Sequence, residues 1–379
     1  MNNSLPVDIG APLAPDYLIQ LNNLDITENL RPRLLSMTID DARGLEADAL
    51  TLLLDDSDGR IMMPQRGAIL RVYIGWQGRP LFCKGDFVIE ELHHSGAPDQ
   101  LKLVGRSANL SDSLMEKGNH SYDKTTLGAM VLQIAKRNEL GAEVADELAS
   151  IEIDHEDQSG LTDAQFLTTM ATKYGATVTI KKDKVLMLVR GANKTVSGQA
   201  IPQLLLTRKD GDKHDYQVVS QMHFSGVKAK WMQLDKASSG TVRVFRVIPE
   251  NQPDRFPGAA RQDIPQPLYE RYALIPGVFK TQEEAMEAAK ADWKKRQAMT
   301  ASMSFVIAQG MPVLIPETPI RLSGFKTMID AQQWTVIKVN HVIDNNGFRT
   351  TVNLEKSVGG ETWDIDVKPS KVTGSEKTT

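Results

Sequence analysis

Two stretches set far apart in the chain, "FVIEELHH" from Phe87 and "WTVIKVNH" from Trp334, align without a gap and place Phe87 on Trp334, Leu92 on Val339 and His94 on His341. Each follows a strand-like segment that carries an arginine and then a glycine-aromatic pair, Arg71 with Gly75-Trp76 and Arg321 with Gly324-Phe325. Each precedes a turn and a strand of the L-x-L or V-x-L kind. Self-similarity constrains a fold more than composition does, because whatever unit the first stretch builds, the second builds again. The matched positions are core-like, so the duplicated object is a β framework and not a reaction centre.

The segments around the repeat read as strands. From Asp16 to about Leu110 the chain runs through "DYLIQL", "LLSMTID", "ALTLLL", "AILRVYIGW", "LFCKGDFVIEEL" and "QLKLVGRS", separated by turn chemistry such as "NN", "DDSDG" and "SGAPD". That spacing predicts a small closed or nearly closed β domain. Strands resume at "ASMSFVIAQ", "PIRLSGF", "QWTVIKVNHVI" and "FRTTVNLEK", the last two joined by Asn346-Gly347, a strong hairpin signal.

Between these regions the period changes. Leu127, Met130, Val131 and Ile134 recur at helical spacing, with Thr125 or Thr126 able to cap and Gly141 to end the helix. Thr162 followed three residues later by Gln165 is a capping-box pattern, in which each side chain satisfies an orphan amide at a helix start. Phe166, Leu167, Met170 and Tyr174 then share one face, and Gly175 supplies the left-handed stop. Ala176, Val178 and Ile180 alternate with Thr177 and Thr179, "KKDK" turns the chain, and a second strand runs from Val185 to Val189. A helix over a hairpin makes this middle segment α+β. Strands return over 204–247, with "SSG" turning "VKAKWMQL" into "TVRVFRVI", before the proline-rich "PENQPDRFPGAARQDIPQP" breaks regular structure. Thr281-x-x-Glu284 opens a further helix with Ala285, Met286, Ala289 and Trp293 as a narrow apolar stripe. After Lys356 the chain is polar and turn-rich, which predicts a loosely held tail with Trp363 and Ile365 as its anchor.

Chemistry is hard to place on this framework. "IDHEDQSG" sets Asp154, His155, Glu156 and Asp157 in a row, but neighbours in an extended segment point to opposite faces, so a solvated loop is the expected state. "DDSDG" at 55–59 resembles a calcium loop, yet the register puts Leu54 at the first ligand position and Gln65 where a bidentate glutamate belongs. Histidines at 93, 94, 120, 155, 214, 223 and 341 show no ligand spacing. Cys83, the single cysteine, excludes an intrachain disulfide and a cysteine-based zinc site, and its strand position predicts a buried small hydrophobe. No nucleophile elbow or phosphate-binding glycine loop occurs. Formal net charge is −4, so there is no overall positive field for nucleic acid or acidic lipid. The start "MNNSLPVDIGAPLAPDY" lacks the basic and apolar regions of a secretion signal, and no run approaches the ~18 apolar residues of a membrane helix. No catalytic, cofactor-binding or metal-ligating residue is predicted, and no cofactor.

Four stretches, in this order and spacing, resemble the late control gene D proteins of contractile-tailed bacteriophages: "DKTTLGAMVLQIAKRN", "IDHEDQSGLTDAQFLTTMATKYGATVTIKKDKVLML", "EEAMEAAKADWKKRQ" and "LIPETPIRLSGFKTMIDAQQWTVIKVNHVIDNNGFRTTVNLE". The likeness runs from about residue 80 to 356. That family forms the baseplate hub and is similar in fold to the hub segment of type VI secretion spike proteins, which have two tube-like β barrels per subunit. The resemblance implies an α+β, mainly β fold with two tube-like antiparallel β-barrel domains around a central α+β region. It divides the chain into a first barrel domain over 1–112 and a central domain over 113–197, with 249–300 packing near the latter. A second barrel domain follows over 198–248 and 301–356, and then a flexible C-terminal tail over 357–379.

The resemblance also implies a role. A homotrimer of two-barrel subunits offers pseudo-six-fold symmetry, and so joins a hexameric tail tube to a trimeric central spike. Expected partners are the spike, tail tube, tape-measure and baseplate wedge proteins, with no membrane and with DNA only passing through the channel. The location is the virion tail baseplate, assembled in the bacterial host cytoplasm. No lysozyme-like domain is legible, so peptidoglycan cleavage falls to another protein. The same contacts would serve a tailocin or other phage-derived injection device. A cell-wall hydrolase on a β scaffold is the alternative of a different class, separated by incubation with purified peptidoglycan.

Overall fold

Every second residue of the first strands faces inward, as a sheet with one buried face requires. Tyr17 and Ile19 do so in β1 (Pro15–Leu21), which turns through β2 (Leu24–Asp25) and the short helix α1 (Thr27–Leu30). Met37 and Ile39 follow in β3 (Leu34–Ala42), Leu50, Leu52 and Leu54 in β4 (Ala49–Asp55), and Leu70, Val72 and Ile74 in β5 (Ile69–Trp76). Phe87 and Ile89 in β6 (Phe82–Ser95), with Leu101 and Leu103 in β7 (Gln100–Ser107), complete one core. The strands are antiparallel neighbours in the order β3-β4-β7-β6-β5-β1-β2. The computed structural model describes residues 13–45, 47–107, 112–181, 183–218, 224, 226–233, 238–246, 272–357 and 363–369.

The central segment has its own core. β8 (Lys117–Thr126) leads into α2 (Leu127–Arg137), whose side chains at Leu127, Met130, Val131 and Ile134 are all fully buried. The Thr126 hydroxyl accepts from the Ala129 amide as the cap. Gly141 is not the stop. The helix ends at Arg137, and Gly141 opens β9 (Gly141–Val144) because the chain there pairs in parallel with a later strand. After α3 (Asp146–Ala149) comes β10 (Glu152–Thr162), antiparallel to β8 in a two-stranded ribbon. Asp154–Asp157 therefore lie in a strand and not in a loop, since pairing with β8 satisfies their backbone. Both halves of the Thr162/Gln165 capping box are present at the start of α4 (Asp163–Lys173). Gly175 follows at φ +65°, and a Cβ there would stand 3.2 Å from the Ala291 side chain, so glycine serves both the turn and a close approach. β11 (Ala176–Lys181) and β12 (Lys184–Val189) form the expected hairpin, with β9 alongside β12.

A second β unit begins with β13 (Leu204–Thr207) and β14 (Gly211–Val218) and is then interrupted. β15 (Gly226–Gln233), β16 (Ser238–Arg246) and β17 (Tyr272–Phe279) carry α5 (Gln282–Ala298) on one face, around Val227, Trp231, Val244, Ala289 and Trp293. The unit resumes with β18 (Ala301–Ile307) and β19 (Pro319–Ser323), then the single turn α6 (Thr327–Asp330), and ends with β20 (Gln333–Asp344) and β21 (Gly347–Lys356). Its core gathers Phe305, Ile320, Trp334, Val336 and Leu354. The last strand, β22 (Trp363–Pro369), returns to pair with β16, giving the order β17-β15-β16-β22.

Three expectations change here. Residues 226–246, expected in the second β unit, belong to the inserted sheet, because their apolar face packs on α5. Ser238-Ser239-Gly240 is strand and not turn, and the connection falls at 234–237, outside the described residues. Part of the expected flexible tail is β22. Within it Val367 packs on the inserted core, Ile365 is 39% exposed, and the side chain of Trp363 lies outside the described residues.

The class is mainly antiparallel β with a central α+β region, but among the described residues neither β unit closes as a barrel. The edge of β3 that could close the first unit is hydrogen-bonded to β20 instead, so both units run into one 13-stranded sheet. Among the described residues no helix is long and apolar enough to cross a membrane.

Candidate functional site

The duplication predicted from eight residues extends through both units. Taken in chain order, β1, β3, β4, β5, β6 and β7 answer to β13, β14, β18, β19, β20 and β21, and each pair of neighbours in one unit is a pair of neighbours in the other. Registers match as well. Leu70 lies opposite Phe87, as Ile320 lies opposite Trp334. Leu92 faces Leu103, as Val339 faces Val352. Even the irregularities correspond: a register shift between Ile89 and Glu91 recurs between Val336 and Lys338, and one between Leu34 and Ser36 recurs between Gly211 and Lys213. Bulges fix register and local twist, so their recurrence marks one framework built twice. One departure is β13, which runs parallel to β19 while β1 runs antiparallel to β5.

The two units meet edge to edge. β20 pairs with β3 from Lys338↔Ala42 to Asp344↔Ser36. Asn340 donates to the Asp40 carboxylate at 3.2 Å, and Lys338 pairs with the same carboxylate at 3.0 Å. Ile343 and Phe348, at the end of the β20–β21 hairpin, enter the first unit's core, where the Phe348 and Trp76 rings lie 5.3 Å apart. Trp76 Nε1 donates to the carbonyl of Gly310 at 2.9 Å. A Cβ at Gly310 would stand 2.4 Å from the Phe348 ring, so only glycine permits this approach. Lys84 Nζ donates to the carbonyl oxygens of Pro312 and Leu314 at 2.9 and 3.1 Å, and burial lowers its pKa to about 8. His341 shares a hydrogen bond of 2.9 Å with Thr350, and burial, aided by the Lys84 charge, pushes its pKa down to about 2.

Charged groups lock the central segment to this junction. Arg43, just past β3, pairs with Glu317 and with Glu355 of β21, and Arg190, just past β12, reaches Glu355 at 2.9 Å. Burial raises the Glu317 pKa against the pull of Arg43. Lys181 of β11 bridges Asp48 at 2.8 Å and Asp41 at 3.3 Å, while burial and the neighbouring Asp41 charge raise Asp48 to about 6. No sequence signal marks these residues, because they come from segments far apart in the chain.

The motifs weighed for chemistry do not converge. His155 stands between Asp123, at 2.5 Å, and Asp157, at 3.0 Å, on the exposed β8–β10 ribbon, and hydrogen bonds to both raise its pKa. Glu156 pairs with Lys173. Among the described residues no group of three or more His, Cys, Asp or Glu is placed to hold a metal ion. Cys83 is exposed, contrary to expectation: a register shift between Val72 and Tyr73 breaks the alternation opposite it, and Lys84 takes the inward course. A cleft of about 450 Å³ between α4 and α5, bordered by Thr169, Lys173, Phe279, Asp292 and Lys295, pairs no nucleophile with a base. What the arrangement does is join two copies of a β unit edge to edge.

A model of the family "Phage tail baseplate hub (GPD)" matches residues 66–347. The "Probable baseplate hub protein" of Escherichia phage 186 is 40% identical over 374 residues, 94% of this chain and 96% of that relative. Among solved structures, a tail protein from Neisseria meningitidis MC58 has a TM-score of 0.63 at 13% identity, covering 90% of this chain and 96% of that one. A type VI secretion component of E. coli, described as structurally similar to the T4 bacteriophage tail proteins gp27 and gp5, has a TM-score of 0.51 at 10% identity, covering 91% and 79%. Those two likenesses concern fold.

Proposed function

The chain belongs to the phage tail baseplate hub family, and from that premise we propose that it is a non-enzymatic symmetry adaptor. Three copies form a ring of six quasi-equivalent β units, which seats a hexameric tail tube on one face and a trimeric spike on the other. The observation that carries this reading is the duplicated unit, with matched strand order, registers and bulges, joined inside one chain by a strand pair. A unit that meets its own duplicate edge to edge can repeat that contact around an axis, and a heterologous contact of this kind closes into a ring when the rotation divides the circle.

Rigidity is part of the role. The ion pairs of Arg43, Arg190, Glu317 and Glu355, and the bonds of Trp76 and Lys84 to the 310–314 backbone, favour one angle between the units. The central segment and the inserted sheet are then free to contact spike, tape-measure or wedge proteins in the virion tail. A reconstruction of the tail end tests the proposal: three copies are expected, with the units holding Phe87 and Trp334 at equal radius and related by about 60° about the tail axis. A single copy off the axis, or units at unequal radii, would reject it.

A further inference from the structure

One edge of each unit is left without a partner, and the junction inside the chain shows what fits there. β20 extends past its short pairing with β19, which ends at Thr335, and the extension is covered by β3 from Lys338 onward. β6 extends in the same way past its pairing with β5, which ends at Val88, and from Glu90 to Ser95 its corresponding edge has no strand beside it among the described residues. β14, the counterpart of β3, pairs only with β18 among the described residues. Its exposed Val218 (55%) and the exposed His93 and His94 of β6 lie on these two edges. Bare strand edges of this length are templates for pairing.

We propose that β6 of one copy pairs antiparallel with β14 of a second copy, repeating between chains the β20–β3 contact made within each. This rests on the ring proposed above and assigns its intermolecular contact. Register follows from the equivalences already described. Leu92 and His94 take the places of Val339 and His341. Ile39 and Asp40 lie opposite Leu50 and Ala49, and Tyr216 and Gln217 lie opposite the corresponding Met303 and Ser302. Since Val339 faces Asp41, Asn340 faces Asp40 and His341 faces Ile39, the pairs between chains are Leu92 with Val218, His93 with Gln217 and His94 with Tyr216.

The side chains suit this register. Asn340 and Asp40 are hydrogen-bonded across the internal junction, and His93 with Gln217 is a pair able to make the same bond. Glu91 takes the place of Lys338, which reaches diagonally to Asp40, so Glu91 can accept from the Gln217 amide. Tyr216 packs on the second core and His214 meets the Phe325 ring at its margin, on the side of β14 that corresponds to Met37 and Ile39 of β3, so the exposed edge of β14 is oriented as that of β3 is. The joined edges make the sheet continuous around the ring and leave none of these strands open.

Directly opposed cross-strand residues are about 4.5–5.5 Å apart at Cα, which a disulfide spans. The full chain carrying His93→Cys and Gln217→Cys, with the exposed Cys83→Ser, is oxidised both purified and in tail particles. Covalent dimers and trimers that collapse on reduction are expected. A second variant, with Lys213→Cys in place of Gln217→Cys, lies several residues out of register and is expected to stay a single chain. Three copies in the particle without a cross-link at His93 and Gln217, or an equal cross-link at Lys213, overturns the strand pairing and leaves the ring standing. One copy in the particle overturns the ring and the pairing together.

Discussion

Trp76 Nε1 donates to the carbonyl oxygen of Gly310 across 234 positions of chain, at 2.9 Å and out of contact with water. The indole belongs to the first β unit and the carbonyl to the loop after β18 of the second, so one hydrogen bond reports whether the two units are docked. Trp76→Phe keeps most of the ring against Phe348 and removes the donor. The stranded carbonyl is expected to lower stability by about 1–2 kcal/mol in urea unfolding. An unchanged midpoint would show that the units are held by packing alone.

Glu355 is the shared partner of Arg43 and Arg190. Glu355→Gln takes from Arg190 its carboxylate and leaves Arg43 only that of Glu317, and a loss of about 3 kcal/mol is expected. Lys338→Ala removes an ion pair at the same junction that is 45% and 35% exposed, and should change stability by less than about 1 kcal/mol. Equal losses in the two variants would refute the view that the buried cluster is what locks the junction.

His341 links the junction to pH. Its folded pKa is about 2 against an ordinary value of 6.5, so between these values the unfolded chain binds a proton that the folded chain does not. Its contribution is therefore full above about pH 6.5 and is lost as pH falls through that window. Asp48 runs the other way, because a carboxylate raised to about 6 costs stability as pH rises from about 4 to 6. Comparison of variants isolates the histidine: between pH 7 and pH 5 the native chain should lose about 2 kcal/mol more than His341→Gln. Parallel pH profiles for the two proteins would exclude the effect.

β22 covers the edge of β16 and brings Val367 against the inserted core. A chain ending at Ser357 is expected to lose roughly 1–3 kcal/mol in that sheet, with faster amide exchange along β16 and no change in the Phe87 and Trp334 units. Exchange in β16 that matches the full chain would mean that the strand contributes nothing there.

Much of this was legible in short windows of sequence. The Thr162/Gln165 box, the buried stripe of α2, the hairpin at Asn346-Gly347 and the match of Phe87 to Trp334 all depend on residues within a few positions of one another, where backbone geometry dictates the period. Family membership was legible as well, through the order and spacing of four stretches. Other assignments failed locally. A register shift that alternation cannot anticipate turns Cys83 outward, and Asp154–Asp157 form a polar ribbon strand with no buried face to reveal it in the sequence.

The sequence by itself determined the strands and helices that have a buried face, and pointed to one β unit occurring twice, since these follow from side-chain period and self-similarity. Only the tertiary structure decided which strand edges meet. Backbone amides and carbonyls are nearly the same at every residue, so a free edge carries no local label for its partner. The choice of β20 for β3, of the inserted sheet for β15 and β16, and of Glu355 for both Arg43 and Arg190 was settled by apolar faces and charges brought together from distant parts of the chain.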